Sequence, residues 1–459
     1  MADYPAYERE GEDEAAAARL AAVRVAVEAG DAVVLAALLE PLHAADVADL
    51  LEQVSGTERR ALLALYSPEI DGDILSESDE SIREEVIESL PAAVLAEAVR
   101  ELDTDDVVDI LEDIEDAGQQ QAILGALEDA DRVAVERALS YPEYSAGRLM
   151  QREVVLAPGH WTVGETIDYL REAEHLPDQF YHVILVDPRM KPVGYVTLGR
   201  VLSSRRDVPL SKITEDSFRT VSATEAESEV AWIFNQYHLI SCPVVDEAGR
   251  LVGVITIDDA MNVLDEEHEE DMLRLAGVGD EASVLDGPVE TMRQRLPWLV
   301  INLFTASLSA LVISQFQNTI AVLVALAALM PIVASTGGIA GTQSLAVAVR
   351  ALATRDLTRA NARRVVLREL AVGAMNGLAL ALILGVAGAL LFADWHLGAV
   401  LAGAMLVNQI VAGLGGVLVP LTLERFGLDP ALASGTFVTT LTDVMGFFAF
   451  LGLATMVLL

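Results

Sequence analysis

The most unusual ionisable residue in this sequence is Asp443, in the stretch GTFVTTLTDVMG. It lies deep in an apolar run, about 18 Å along it at helical rise. An ionised carboxylate near mid-bilayer costs roughly 3 kcal/mol or more, so it belongs beside water or a cation. The hydroxyls of Thr439, Thr440 and Thr442 next to it suit a wet path. The plain alternative is a structural carboxylate bonded to neighbouring helices. A second segment, LMPIVASTGGIAGTQSLAV, carries Pro331, Gly337, Gly338 and Gly341. Proline and glycines at this density predict a helix that kinks or unwinds, with freed carbonyls lining a cavity. Carbonyls and carboxylates are hard ligands that suit Mg²⁺ or Ca²⁺. Small residues that only let helices approach closely would give the same pattern.

Soluble carboxylates form the third group. Asp105, Asp106 and Asp109 share a helix start, with Asp105 and Asp109 on one face. Asp258, Asp259, Asp265, Glu266, Glu267, Glu269, Glu270 and Asp271 crowd a later segment. Like charges at helical spacing repel. Divalent cations bridging such faces would relieve the repulsion through weak, hydrated sites, the kind that sense millimolar concentrations. A solvated acidic face is the alternative.

These groups sit in two different environments. The chain has 459 residues and a formal net charge of −40, yet 53% of its residues are hydrophobic. Charge and apolarity are segregated along it: residues 1–290 carry 64 acidic and 21 basic side chains, residues 291–459 only 6 and 9. So acidic a first half repels nucleic acid, and one cysteine, Cys242, excludes a disulfide scaffold. The start, MADYPAYEREGEDE, is no signal peptide and reads as a loose polar stretch. Walker, G-x-S-x-G and His/Cys metal patterns are missing, so no enzyme or ATP-driven pump is expected.

From Glu14 to about Leu139 apolar residues recur at three and four, and Leu-Pro-acidic phrases return. That predicts stacked short helices in a superhelical N domain. Strand, turn, strand, helix then occurs twice, at 181–202 and 241–264, each copy after an amphipathic helix. Five apolar segments follow, near 296–316, 320–349, 366–392, 397–423 and 431–457, each long enough to span about 30 Å of hydrocarbon. Arg293, Arg295, Arg350, Arg355, Arg359, Arg363, Arg364, Arg368 and Arg425 fall before the first, between the second and third, or between the fourth and fifth. The positive-inside rule then puts the acidic half in the cytoplasm and the C-terminus outside.

The duplicated unit, clearest in CPVVDEAGRLVGVITIDD, resembles a pair of CBS domains. Nucleotide-binding CBS domains hold a ribose with a Thr and an Asp three residues later. Thr256 and Asp259 fit; the first copy has Thr197 but Arg200. The resemblance thus allows one adenine-nucleotide site. A strand end and a helix start would account for the same two residues.

The whole order, with STGGIAGTQS, RALATRDL (350–357) and DPALASGTFVTTLTDVMG (429–446), resembles the MgtE family of magnesium channels and transporters. The resemblance implies a multidomain chain: an α-helical N domain (1–140), tandem α/β CBS domains (141–206 and 207–264), a connecting plug helix (265–293) and a five-helix transmembrane pore domain (294–459). It implies a homodimer in membrane lipid passing hydrated Mg²⁺, with Asp443 in the pore. Gly337, Gly338, Ile339, Gly341, Thr439 and Thr440 would line the path. Asp73, Asp105, Asp109, Asp259, Glu267, Glu270 and Asp271 would be cytosolic Mg²⁺ sensors that close the gate. Four positions depart from the family pattern. Ile339 replaces a usual Asn, Gly435 and Thr436 stand where a polar residue or Pro is common, and Asn262 replaces an acidic residue. The expected function is a Mg²⁺ channel gated by cytosolic Mg²⁺. The alternatives are a channel for Co²⁺ or Mn²⁺, or a non-conducting membrane sensor.

Overall fold

Short helices need caps, and the acidic half supplies them. Ser55 and Glu58 form a reciprocal capping box, while Asp31, Asp71, Asp79 and Asp116 each cap a helix start through the side chain. The computed structural model describes residues 6–459 except 113, 115, 174–175, 178–179, 216–217, 280–281, 283–286 and 433. Among the described residues, ten α-helices run from Ala6 to Ala138. The first is Ala6–Ala29, so the polar start expected to be loose is helical from Ala6 onward. Helices pack on their second neighbours: Ala44–Gln53 on Gly72–Ser76, Gly72–Ser76 on Ala92–Glu101, and Ala92–Glu101 on Ala117–Ala126. This is the superhelical stacking expected of the Leu-rich phrases, and one continuous core from Val23 to Ala138 fills it.

Two buried arginines repeat within that stack. Arg59 donates to the carbonyls of Leu51 and Val54 and pairs with Glu85 at 2.5 Å. Arg83 donates to Ser78 and Ser76 and pairs with Asp109 at 2.7 Å. Each reaches a carboxylate 26 residues further on, and each satisfies carbonyls left open where a short helix ends.

The duplicated α/β unit forms two three-stranded sheets with the same topology. Strands Leu156–Pro158, His182–Val186 and Pro192–Thr197 make one; Val221–Ser222, Ser241–Val245 and Leu251–Thr256 make the other. In each the first pairing is parallel and the second antiparallel, with a register shift at the equivalent place. His182 begins the central strand of one copy and Ser241 that of the other. They are 59 residues apart, and their side chains meet at 2.5 Å.

The chain divides into two compact units, Met1–Glu266 and Glu267–Leu459. Among the described residues, the second contains five helices long and apolar enough to cross a membrane: Pro288–Gln315, Ala325–Ala353, Ala362–Phe392, Trp395–Arg425 and, from Gly435, the helix ending at Leu458. The fourth is central, packing against the second, third and fifth. Glycines allow the approach: a Cβ at Gly385 would lie 2.9 Å from Ala402 and 3.0 Å from a backbone oxygen of Gly398.

Two expectations fail here. Of the kink or unwinding expected in the second span, the unwinding is overturned: Ala325–Ala353 is one continuous helix with Pro331 inside it. Its glycines are used for contact with neighbours rather than for unwinding. The connector is not one helix either. Ile257–Ala276 runs on from the last strand of the duplicated unit, and residues from Pro288 already belong to the first span.

Candidate functional site

Asp105 starts the helix Thr104–Glu112 and is 8% exposed. Its carboxyl meets that of Asp259, in the first turn of Ile257–Ala276, through a side-chain hydrogen bond. Two carboxylates can share a hydrogen bond only if a proton or a cation lies between them. Burial holds Asp105 well above the usual carboxylate range, reinforced by Asp259, Asp106, Asp103 and Glu153. Burial also pushes Asp259 up to about 6, against hydrogen bonds from Thr256 that favour its charged form. Asp106 rises to about 7, through burial first and then Asp259, Asp103, Asp109 and Asp73. The helical layer is tied to the duplicated unit beside this cluster: Thr104 donates to Glu153 at 2.8 Å, and Gln151 to Asp103 at 3.1 Å.

Asp73 and Asp109 lie at the exposed edge of the cluster, and Asp109 is held by Arg83. The donors are oxygen throughout, which suits a hard divalent ion. Among the described residues, no three His, Cys, Asp or Glu side chains close around a bare metal ion. Outer contact through the ion's own waters is what this spacing can offer.

Thr256 and Asp259 close on each other. The Thr256 hydroxyl donates to Asp259 at 2.6 Å, as a strand end and helix start would arrange it. The cavity lined by Gln151, Glu153, His182, Ser241 and Thr256 measures about 20 Å³, room for a water molecule in this conformation. Burial lowers the His182 pKa, so its imidazole stays neutral at this wall.

Glu267, Glu270 and Asp271 fall in the second unit, apart from Asp259 in the first. Arg274 bridges Glu270 at 2.8 Å and Asp429 at 2.7 Å. Asp271 is raised by burial, then by Asp429 and Glu267. The sequence signalled these carboxylates but not Asp429 as their partner, because it lies 155 residues from Arg274.

In the membrane-type helices Asp443 is half-buried in the fifth span. The stripe Val438, Thr442, Gly446 and Phe450 beside it is packed into the bundle. Thr439 and Thr440 donate to carbonyls of their own helix, at Gly435 and Thr436. Gly337 and Gly341 are buried against Asn408 and Val438, Gly338 is partly covered, and Ile339 is 57% exposed. The sequence reading overlooked Asn408 and Gln409, 0% and 2% exposed in the fourth span. Their signal was available: an amide pair inside the apolar stretch AMLVNQIVAG.

Three family models match: a divalent cation transporter over residues 330–453, an MgtE intracellular N domain over 42–144, and CBS domains over 146–207 and 210–266. The "Magnesium transporter MgtE" of Thermus thermophilus is 33% identical over 94% of this chain and 97% of its own length. The chain belongs to the MgtE family. The Bacillus subtilis protein of the same name is 26% identical over 91% of this chain and 92% of its own. A crystal structure of the cytosolic domain of the Mg²⁺ channel MgtE in complex with ATP is 29% identical. It aligns with a TM-score of 0.50 over 53% of this chain and 99% of that one. Membership makes this a multi-pass membrane protein with soluble N-terminal domains, in a transporter class rather than an enzyme class.

Proposed function

We propose that this chain is a Mg²⁺-selective channel or transporter of the cytoplasmic membrane, gated by cytosolic Mg²⁺ acting on its acidic domains. The observation that carries the reading is Asp443, the one ionisable residue of the fifth span, about 14 Å along it at helical rise. The working unit is a homodimer in lipid. Two-fold symmetry brings one Asp443 from each subunit towards a common axis. Two carboxylates that close favour a divalent ion between them. Hydrated Mg²⁺ meets them through its waters, since it gives up its shell reluctantly. Such binding is firm enough to select and loose enough to release. Gly337, Gly338, Ile339, Gly341, Thr439 and Thr440 lie along this path in our reading, and the membrane potential drives entry.

Gating follows from the carboxylates. Asp105, Asp109, Asp259 and Asp73 form one cation-responsive face, and Glu267, Glu270 and Asp271 another. Mg²⁺ cancels their repulsion and favours the closed arrangement by mass action. The acidic domains lie in the cytoplasm and the C-terminus outside, as the arginine-bearing loops require. An adenine nucleotide enters between the CBS copies near Thr256 and Asp259 once the small cavity there widens, a reading supported by the ATP-bound relative.

The test is Asp443→Asn in vesicles. It keeps shape and removes charge, and Mg²⁺ flux should fall at least a hundredfold while dimers still assemble. Near-normal uptake by a well-assembled Asp443→Asn protein would refute the pore role.

A further inference from the structure

Polar side chains buried inside apolar helices are kept where they do something specific. Asn408 and Gln409 of the fourth span are both enclosed. The Asn408 amide donates to the carbonyl of Val333 at 2.8 Å. The Gln409 amide donates to the carbonyl of Thr336 at 3.2 Å. In an α-helix those carbonyls also receive the N–H groups of Gly337 and Ala340. The two amides therefore share the helical hydrogen bonds on either side of the Gly337–Gly338 pair. The Thr336 hydroxyl adds a third donor to Val333 at 3.1 Å. Side-chain donors inserted into the ladder are a recognised cause of bending.

Shape says the same. A Cβ on Gly337 would lie 2.1 Å from Asn408 Nδ2 and 2.7 Å from its Cγ. A Cβ on Gly446 in the fifth span would lie 2.8 Å from the same Nδ2. One carboxamide thus fills a notch cut by glycines on two different helices. Gly446 is three residues from Asp443 on its helix. Asn408 Oδ1 is buried and has no hydrogen-bond partner. An amide serving only as glue would be fully satisfied; here one half bonds and the other is held by fit.

We propose that Asn408 and Gln409 form an amide clamp that positions the glycine segment of the second span and, through Gly446, the helix carrying Asp443. It sets the distance between the two walls of the ion path, so these are positioning residues for selectivity. The inference rests on the pore role of Asp443 given above. The clamp also explains why the glycine segment is helical here: its carbonyls are engaged from the side rather than freed.

The test uses full-length dimers in vesicles and reads Mg²⁺ and Co²⁺ flux separately, with assembly checked by size. Gly337→Ala should lower flux about a hundredfold, because its methyl has no space. Gly337→Ala combined with Asn408→Ala removes every atom that clashes, and should recover to within about threefold of Asn408→Ala alone. Asn408→Ala and Gln409→Ala should assemble but change the Mg²⁺/Co²⁺ flux ratio about tenfold, which loss of packing alone would not do. Normal flux from Gly337→Ala, no recovery in the double variant, or an unchanged ion ratio in both single amide variants would each overturn the clamp. Asp443→Asn is the control. If it is dead while the amide variants keep the native ion ratio, the clamp fails and the pore role stands. If it conducts normally, the pore role fails first.

Discussion

The two CBS copies share strand order, register and turn, yet only the second carries an aspartate three residues after the threonine that ends its last strand. Asp187 in the first copy caps its turn by accepting from the N–H of Arg189 and Lys191; Asp246 does the same for Ala248 and Arg250 in the second. After the last strand they part. Thr197 caps a short helix with Arg200, whose guanidinium pairs with Glu215. Thr256 is followed by Asp259, which meets Asp105. Duplication supplied a frame, and one position after the strand turned one copy into a contact between facing carboxylates. The first copy carries its own cation at that place, on Arg200. In the function proposed above, the second takes it from solution.

The largest test of this difference is Asp259→Asn. It keeps the shape and the Thr256 contact but removes one of the two facing charges. In the native protein, millimolar Mg²⁺ should slow proteolysis of residues 1–266 at least tenfold, since the ion favours the compact form. Asp259→Asn should be cut at nearly the same rate with and without Mg²⁺. Full Mg²⁺ protection of Asp259→Asn would show that the contact with Asp105 does not sense the ion.

Most of the fold was legible in the sequence. Helical spacing gave the stacked layer, the repeated order of strand, turn, strand and helix gave the sheets, and apolar runs gave the spans. The residues missed are those whose role depends on distant partners. Asp429 meets Arg274 only in the folded chain, and Asn408 gains meaning only against Gly337 and Gly446. The second span was misread because proline and glycine lower helix propensity locally, while the amides and hydroxyls that engage its carbonyls come from side chains that propensity does not weigh. Among the sensors, composition gave the crowd of carboxylates but could not tell the buried Asp105 from the exposed Asp109 on the next turn of the same helix.

pH separates the copies next. At the second, Asp259 and the facing Asp105 and Asp106 of the helical layer keep protons in the fold that an unfolded chain releases near pH 4. Folding then binds protons, so stability falls as pH rises through about 6 and about 7. His182 opposes this in part, being lowered by burial, but it is one group against three. Without divalent ions, raising pH from 5 to 7.5 should lower the unfolding midpoint by several degrees. Millimolar Mg²⁺ should abolish most of that decline, because a cation replaces the shared protons. A midpoint that rises over this interval, or a fall that Mg²⁺ leaves untouched, would contradict the cluster. Asp259→Asn should flatten the profile, whereas changes at Arg200 should leave it in place.

The smallest effect lies in the turns, where the copies place different residues at the left-handed position. Gly249 has φ +73°, the left-handed region that glycine enters freely. Met190 occupies the matching place in the first turn with φ 60° and is 44% exposed, so packing returns little for its strain. A left-handed residue with a Cβ costs about 1–2 kcal/mol, and glycine's extra freedom in the unfolded chain takes back roughly 0.5–1 kcal/mol of the relief. Met190→Gly should therefore stabilise residues 1–266 by about 0.5–1 kcal/mol, or roughly 1–4 °C in midpoint at this size. Gly249→Ala should do the reverse, since its new methyl finds the Lys191 ammonium at an ordinary 3.4 Å and only the backbone resists. Neither change touches Asp105 or Asp259, so the Mg²⁺ response should stay native in both. A Met190→Gly protein that is less stable than the parent would mean that the methionine side chain makes a compensating contact, and that the turns differ for a reason other than backbone strain.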